Sequence, residues 1–246
     1  MTNAMVFNGV GKDFNQNGHP TTAIRHLSFT VRQGDYVCVL GRSGCGKSTL
    51  INLLLGLLSP DRGDISVFGS DPYKEFQILK GRIGCVFQGD RLLPWRSAID
   101  NVLLPGEILG LKSVAHQQQA ITLLHQFGLK GFEHARPSEL SGGMRQRVAI
   151  ARALISNPDI LLADEAFGHL DEATGDSLRH DFKTIAKNGR KTVLHVTHSI
   201  DEALNLSDEI IVLGRPGKLL NIYPNTPEIN RSDLRKKIVA DLKIVH

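Results

Sequence analysis

Cysteine is scarce in this 246-residue chain, limited to Cys38, Cys45 and Cys85. An odd count without paired spacing argues against a disulfide scaffold and a zinc site, and fits a reducing compartment. Excess charge is also missing. Lys plus Arg number 29 against 25 for Asp plus Glu, a net +4 that is too mild to argue for nucleic acid by itself. No apolar run approaches the length of a bilayer span. The opening Met1-Thr-Asn-Ala-Met-Val-Phe7 has no basic stretch before an apolar core, so no signal peptide is expected. Internal repeats, low-complexity tracts and a long coiled coil are absent too. With 41% hydrophobic and 22% charged residues, the chain has the make-up of a folded globular protein and not of a disordered one.

The pattern that is present alternates between two characters. Val6 to Phe14, Ile24 to Val31 and Tyr36 to Leu40 read as strands. The last is continuously apolar, as a strand buried on both faces in a parallel sheet should be. A helix is expected next, through Leu50, Ile51, Leu54 and Leu57. From Trp95 to Asn157 the spacing turns mostly helical, with Gly128 ending one helix and Ser141 capping the next, which Asn157-Pro158 stops. Buried-strand runs return at Ile160 to Ala163, Thr192 to Val196 and Glu209 to Leu213. The expected fold is α/β: a P-loop NTPase core with a mainly parallel sheet, N-terminal antiparallel strands and an inserted helical subdomain. As one domain over 1–246, the core takes 1–94 and 158–217, the helical part 95–157, and a short tail 218–246.

Gly41-Arg-Ser-Gly-Cys-Gly46-Lys47-Ser48 matches the phosphate-loop pattern in its confirming context, strand before and helix after. Backbone N–H groups across Gly41, Arg42, Ser43, Gly44, Cys45, Gly46, Lys47, Ser48 and Thr49 should curl around phosphate oxygens at a helix N-terminus. Lys47 should reach the β- and γ-phosphates and the Ser48 hydroxyl should ligate Mg²⁺. Ile160-Leu-Leu-Ala-Asp164-Glu165 delivers carboxylates to the end of an apolar strand, where ligands of open α/β sheets bind. Asp164 suits Mg²⁺ held through water, and Glu165 suits orienting or deprotonating an attacking water. Leu140-Ser141-Gly142-Gly143-Met144 is a second phosphate-recognition device at a helix start. One chain holding two such devices raises the question of what the second one serves.

Together these motifs give a chain that resembles the ATP-binding subunit of an ABC transporter, over nearly its whole length from about Met5 to Gly217. The resemblance implies Phe14 stacking on adenine, Gln88 near Mg²⁺ and the attacking water, His198 as the switch histidine, and Leu170-Asp171 as the D-loop. The alternatives are a core aromatic, a polar turn residue and a structural histidine. It also implies a head-to-tail dimer of two copies, each ATP lying between one P-loop and the other copy's Ser141 to Gly143, which answers the question of the two devices. Ala166 and His169 depart from the family's usual Pro and small residue beside Glu165, which puts hydrolysis rate in question. Met144 and Leu92-Leu-Pro-Trp95 resemble the nitrate/sulfonate/taurine importer branch, with the Leu-Leu-Pro-Trp cluster an exposed partner groove unless Trp95 packs inside. This implies a membrane permease partner, a solute-binding protein acting indirectly, and a cytoplasmic, peripheral location on the inner or plasma membrane. A soluble ABC ATPase acting on nucleic acid or ribosomes is the rival class. A nucleotide-binding regulatory module without turnover is disfavoured by Glu165, Gln88 and His198. The tail from Ser232 to Lys243 reads as an amphipathic helix with Leu234, Ile238 and Leu242 on one face. It is expected to dock on its own domain in preference to an anionic membrane surface.

Overall fold

The computed structural model describes residues 2–16, 19–168 and 172–243. In chain order the elements are β1 (Asn3–Gln16), β2 (His19–Arg32), β3 (Tyr36–Gly41), α1 (Lys47–Leu54), β4 (Arg62–Val67), α2 (Phe76–Leu79), β5 (Ile83–Val86), α3 (Ala98–Ile108), α4 (Val114–Gln126), α5 (Gly142–Leu154), β6 (Ile160–Asp164), α6 (Glu172–Asn188), β7 (Thr192–Thr197), α7 (Ile200–Leu206), β8 (Glu209–Gly214), β9 (Lys218–Pro224) and α8 (Arg231–Lys243). They group into two compact units, one of Met1–Leu79 with Thr192–His246 and one of Lys80–Lys191. Among the described residues no helix is long and apolar enough to cross a membrane.

The first unit holds two sheets. β2, β1 and β4 form an antiparallel one, in which Phe7 and Phe29 stack at 4.4 Å between ring centroids. In the other, β3 lies between β7 and β8 and runs parallel to both, Tyr36 opposite Val193 and Val37 opposite Glu209. All six residues of β3 are buried, which is why it lacks the alternation of a half-exposed strand. β9, absent from the strand expectations above, pairs antiparallel with β8. The predicted first helix is shorter than its apolar spacing suggests. It stops at Leu54 because Gly56 takes φ +67°, and Leu57 beyond it is 63% exposed. α8 docks as expected: Leu234 and Ile238 are buried, and the helix packs on α7, β8 and β9.

The second unit pairs β5 with β6 in parallel, Ile83 opposite Ile160 and Val86 opposite Ala163. α3 and α4 pack on α5, which also packs on β5 and α6. Serine caps open three of its helices: Ser97, Ser113 and Ser141 each accept from a backbone N–H of the first turn. Gly128 follows α4 as the sequence implies, and α5 is finished before Asn157.

Candidate functional site

In the first unit, β3 runs through Gly41 into the loop that ends at the N-terminus of α1. Here the helix cap is a glycine. Gly46 provides no side-chain acceptor, whereas α7 of the same unit is capped by Ser199. Gly46 thus gives the first turn of α1 no side-chain cap, which suits the helix end to an anion, while the Lys47 N–H is engaged by the Cys45 thiol. Gly46 is required by more than conformation, because a Cβ there would lie 2.6 Å from the Ala23 carbonyl oxygen of β2. Lys47 is buried, and its Nζ donates to the carbonyls of Gly41 at 2.8 Å and Arg42 at 3.3 Å. Its ammonium thus sits against the loop backbone. Arg42, Ser43, Gly44 and Ser48 are exposed, and Cys45 is buried.

Phe14, near the end of β1, is half-buried and so is not a core aromatic. The Lys12 ammonium, two residues back on the same strand face, lies 5.8 Å from its ring centroid. His198 directly follows β7 and is exposed. The buried structural histidine of this region is another residue, His195. Its Nδ1 lies 3.3 Å from the Tyr36 hydroxyl and its Nε2 3.6 Å from Glu202. Thr197 donates to Glu202 at 2.6 Å, and the Thr197 Oγ1 accepts from the Ser199 N–H at 3.0 Å. The turn that presents His198 is therefore held from within by Thr197, Glu202 and His195. Burial, then the neighbouring Cys38, Glu202 and Asp208, push the Tyr36 hydroxyl well above its usual pKa.

In the second unit, β6 ends on Asp164, and Glu165 follows at φ +47°. That is the left-handed region, which a side chain of this size occupies only when its surroundings impose it. Both carboxylates are half-buried. Burial, then the Asp164 carboxylate, push the Cys85 thiol up to about 12. Gln88 lies exposed just past β5. Ser141 and Gly142 are exposed at the start of α5, with the Ser141 Oγ accepting from the Met144 N–H at 3.3 Å. Three residues of α5 tie this start to the segments beside Gln88 and Glu165. Arg145 pairs with Asp90 at 2.9 Å and donates to the Leu140 carbonyl at 2.8 Å. Arg152 donates to the Asp90 and Arg91 carbonyls at 2.6 and 2.7 Å. Gln146, buried, donates to the Ala166 carbonyl at 2.7 Å.

The family described as ABC transporter matches residues 24–168, which spans both the phosphate loop and the Asp164-Glu165 strand end. The chain belongs to the ABC transporter family. It is 41% identical over 217 residues to the nitrate import ATP-binding protein NrtD of Synechococcus elongatus, covering 86% of this chain and 77% of that protein. It is 44% identical over 204 residues to the taurine import ATP-binding protein TauB of Rhizobium johnstonii, covering 82% and 76%. Among solved structures, a dimeric post-hydrolysis state of the ATP-binding cassette MJ0796, bound to ADP and Pi, superposes with a TM-score of 0.80. It is 31% identical and covers 90% of this chain and 99% of that one. As an ABC transporter ATP-binding protein, the chain is an ATPase.

Within this ABC transporter chain the sequence motifs left several residues unmarked: His195, Glu202, Gln146, Arg152 and Arg215. A buried histidine three positions before an exposed one carries no mark of its own in the sequence, because every residue of β7 is buried. The α5 residues signal themselves only as polar positions on an apolar helix face. The Leu-Leu-Pro-Trp expectation is corrected in part, because Leu92 is buried at 8% while Trp95 is 70% exposed. Ala166 is buried beside Glu165. His169 and the expected D-loop, Leu170-Asp171, lie outside the described residues.

Proposed function

We propose that the chain powers a membrane importer for a small anion or related solute of the nitrate/sulfonate/taurine type. The observation that carries the ATP-binding part is the glycine-capped N-terminus of α1 behind a fully buried strand. It offers first-turn N–H donors where phosphate oxygens would be held. The solute class is supported by the names of the relatives. The core is assigned to 1–94 and 158–217, the helical subdomain to 95–157 and the tail to 218–246.

Each candidate residue takes a role within this reading. Gly41 to Thr49 hold the phosphates, Phe14 stacks on adenine, and Ser141 to Met144 face the phosphates bound by a second copy in a head-to-tail dimer. Ser48, Gln88 and Asp164 are oxygen donors of the kind that suits Mg²⁺. When bound, this ion neutralises charge on the β- and γ-phosphates. Glu165 accepts the proton of the attacking water, and Gln88 and His198 position that water and the γ-phosphate. Closure of the dimer on ATP and reopening after hydrolysis would move a permease seated at Trp95, on the cytoplasmic face of the membrane. A solute-binding protein acts through that permease.

The test is purification from membranes with the rest of its operon expressed. A permease should co-purify and Mg-ATP should be turned over. Recovery of RNA, DNA or ribosomes in place of a permease overturns the import reading. Trp95→Ala should keep the wild-type melting temperature and lose the permease. A sharply lowered melt would instead make Trp95 a packing residue.

A further inference from the structure

Lys47 holds two carbonyls of the phosphate loop, and a second cation holds the next one. Arg215, just past β8, donates through Nη2 to the Ser43 carbonyl. A Cβ placed on Gly44 would lie 3.2 Å from that same nitrogen, so the guanidinium lies directly against the loop backbone. Arg215 also shares a narrow cleft with Arg42, Cys45, Leu213, Gly214 and, from α8, Leu242. The carbonyls of Gly41, Arg42 and Ser43 thus each accept from a cation, in an unbroken run. The buried Cys45 thiol senses both cations: burial raises its pKa, while Lys47 and, more weakly, Arg215 oppose the rise.

A planar trans peptide points the carbonyl of one residue and the N–H of the next in opposite directions. Fixing the three carbonyls therefore fixes the N–H groups of Arg42, Ser43 and Gly44. A cation on a carbonyl also polarises its peptide and strengthens the N–H on the far side as a donor. The Cys45 N–H is already committed to the Arg42 carbonyl at 3.2 Å, so Gly44 carries the N–H that Arg215 controls. We propose that Arg215 is a positioning residue for the nucleotide: acting through the Ser43 carbonyl, it aims the Gly44 N–H at the phosphates without touching them itself. This rests on ATP binding at the loop.

The experiment titrates the full chain, its Arg215→Ala variant and its Arg215→Lys variant with a fluorescent ATP analogue and with ADP. Phosphate release and nucleotide-free melting are measured alongside. Arg215→Ala should weaken both nucleotides by about tenfold, the worth of one charge-assisted hydrogen bond. KM should rise while kcat stays near wild type, and the nucleotide-free melt should not move. Arg215→Lys should recover part of the loss, because a point charge still donates but lacks the fixed fork of a guanidinium. The affinity ratio should persist at high salt, since the carbonyl that Arg215 meets is neutral, whereas a pairing with phosphate charge is weakened by salt. A ratio that collapses in salt would mean direct pairing with phosphate and overturns the proposal. So does unchanged affinity in Arg215→Ala. If Arg215→Ala does not fold, Arg215→Lys decides: a raised KM supports the proposal and an unchanged one overturns it. A wild-type chain that bound neither nucleotide would overturn both this and the ATP reading.

Discussion

Glu165 carries its carboxylate on a backbone bent into the left-handed region, one residue past the end of a buried strand. Strain of that kind persists where packing over-determines it, and here Gln146 holds the carbonyl of the very next residue, Ala166. Glu165→Gln keeps the shape and much of the hydrogen bonding but cannot take a proton. Turnover should fall by about 10²–10⁴-fold, the usual contribution of a general base, while ATP binding survives. Phosphate release together with gel filtration in Mg-ATP checks this. Wild-type turnover in Glu165→Gln would remove the base assignment and leave Gln88 and His198 to position the water. Away from the motifs, Glu133 is held down to about 2 by its own backbone N–H and then by His125, at 2.5 Å. Its folded pKa lies below the ordinary 4.5, so the unfolded chain takes up the proton first. The stability that Glu133 contributes is present above about pH 4.5 and is lost as pH falls toward 2. Thermal melts across that window should fall less steeply for Glu133→Gln than for wild type. Glu133 gave no sign of this in the sequence, because its depression depends on a backbone turn that no spacing announces. Lys47, Asp164 and Ser141, by contrast, announce themselves through fixed motifs.

Elements were legible to the extent that burial on both faces or one regular stripe defined them. β3 and β6 are continuous apolar runs up to their last residue, and β7 and β8 are mostly so, which marks all four in the sequence; β9 carries no such mark. Its burial is mixed and mostly exposed along Lys218–Pro224, because it closes an edge and is covered on little of its surface. The spacing overextends α1 because Leu57 keeps the helical period, while Gly56 ends the helix. The tail helix α8 shows which of its contacts matter. Ile238 is fully buried, whereas Arg235 pairs with Asp201 at the surface. Ile238→Ala should destabilise by roughly 2–5 kcal/mol through the cavity it leaves. Arg235→Ala should cost far less, as the loss of an exposed pair does. Denaturant melts of the two variants separate these, and equal losses would show that the ion pair anchors the helix.

For the whole molecule the question is what two copies do together. Ser141 is exposed at the start of α5, and its hydroxyl already caps its own helix. Ser141→Arg should leave ATP binding by one copy nearly intact and abolish ATP-dependent dimerisation, because a long cation stands where the facing phosphates would approach. Gel filtration with a non-hydrolysable nucleotide reads this, and an unchanged dimer peak would rule out the head-to-tail arrangement. The strand order within the first unit could not be read from the sequence, since it joins segments far apart in the chain. That order also dictates a sequence of events during synthesis. β3 is flanked by β7 and β8, with Tyr36 opposite Val193 and Val37 opposite Glu209, and all of residues 80–191 must be translated in between. A ribosome therefore exposes a fully apolar strand long before either neighbour exists, and closing so long a loop is slow. A nascent chain stalled before Thr192 should be the species that chaperones hold and proteases cut, whatever nucleotide is supplied.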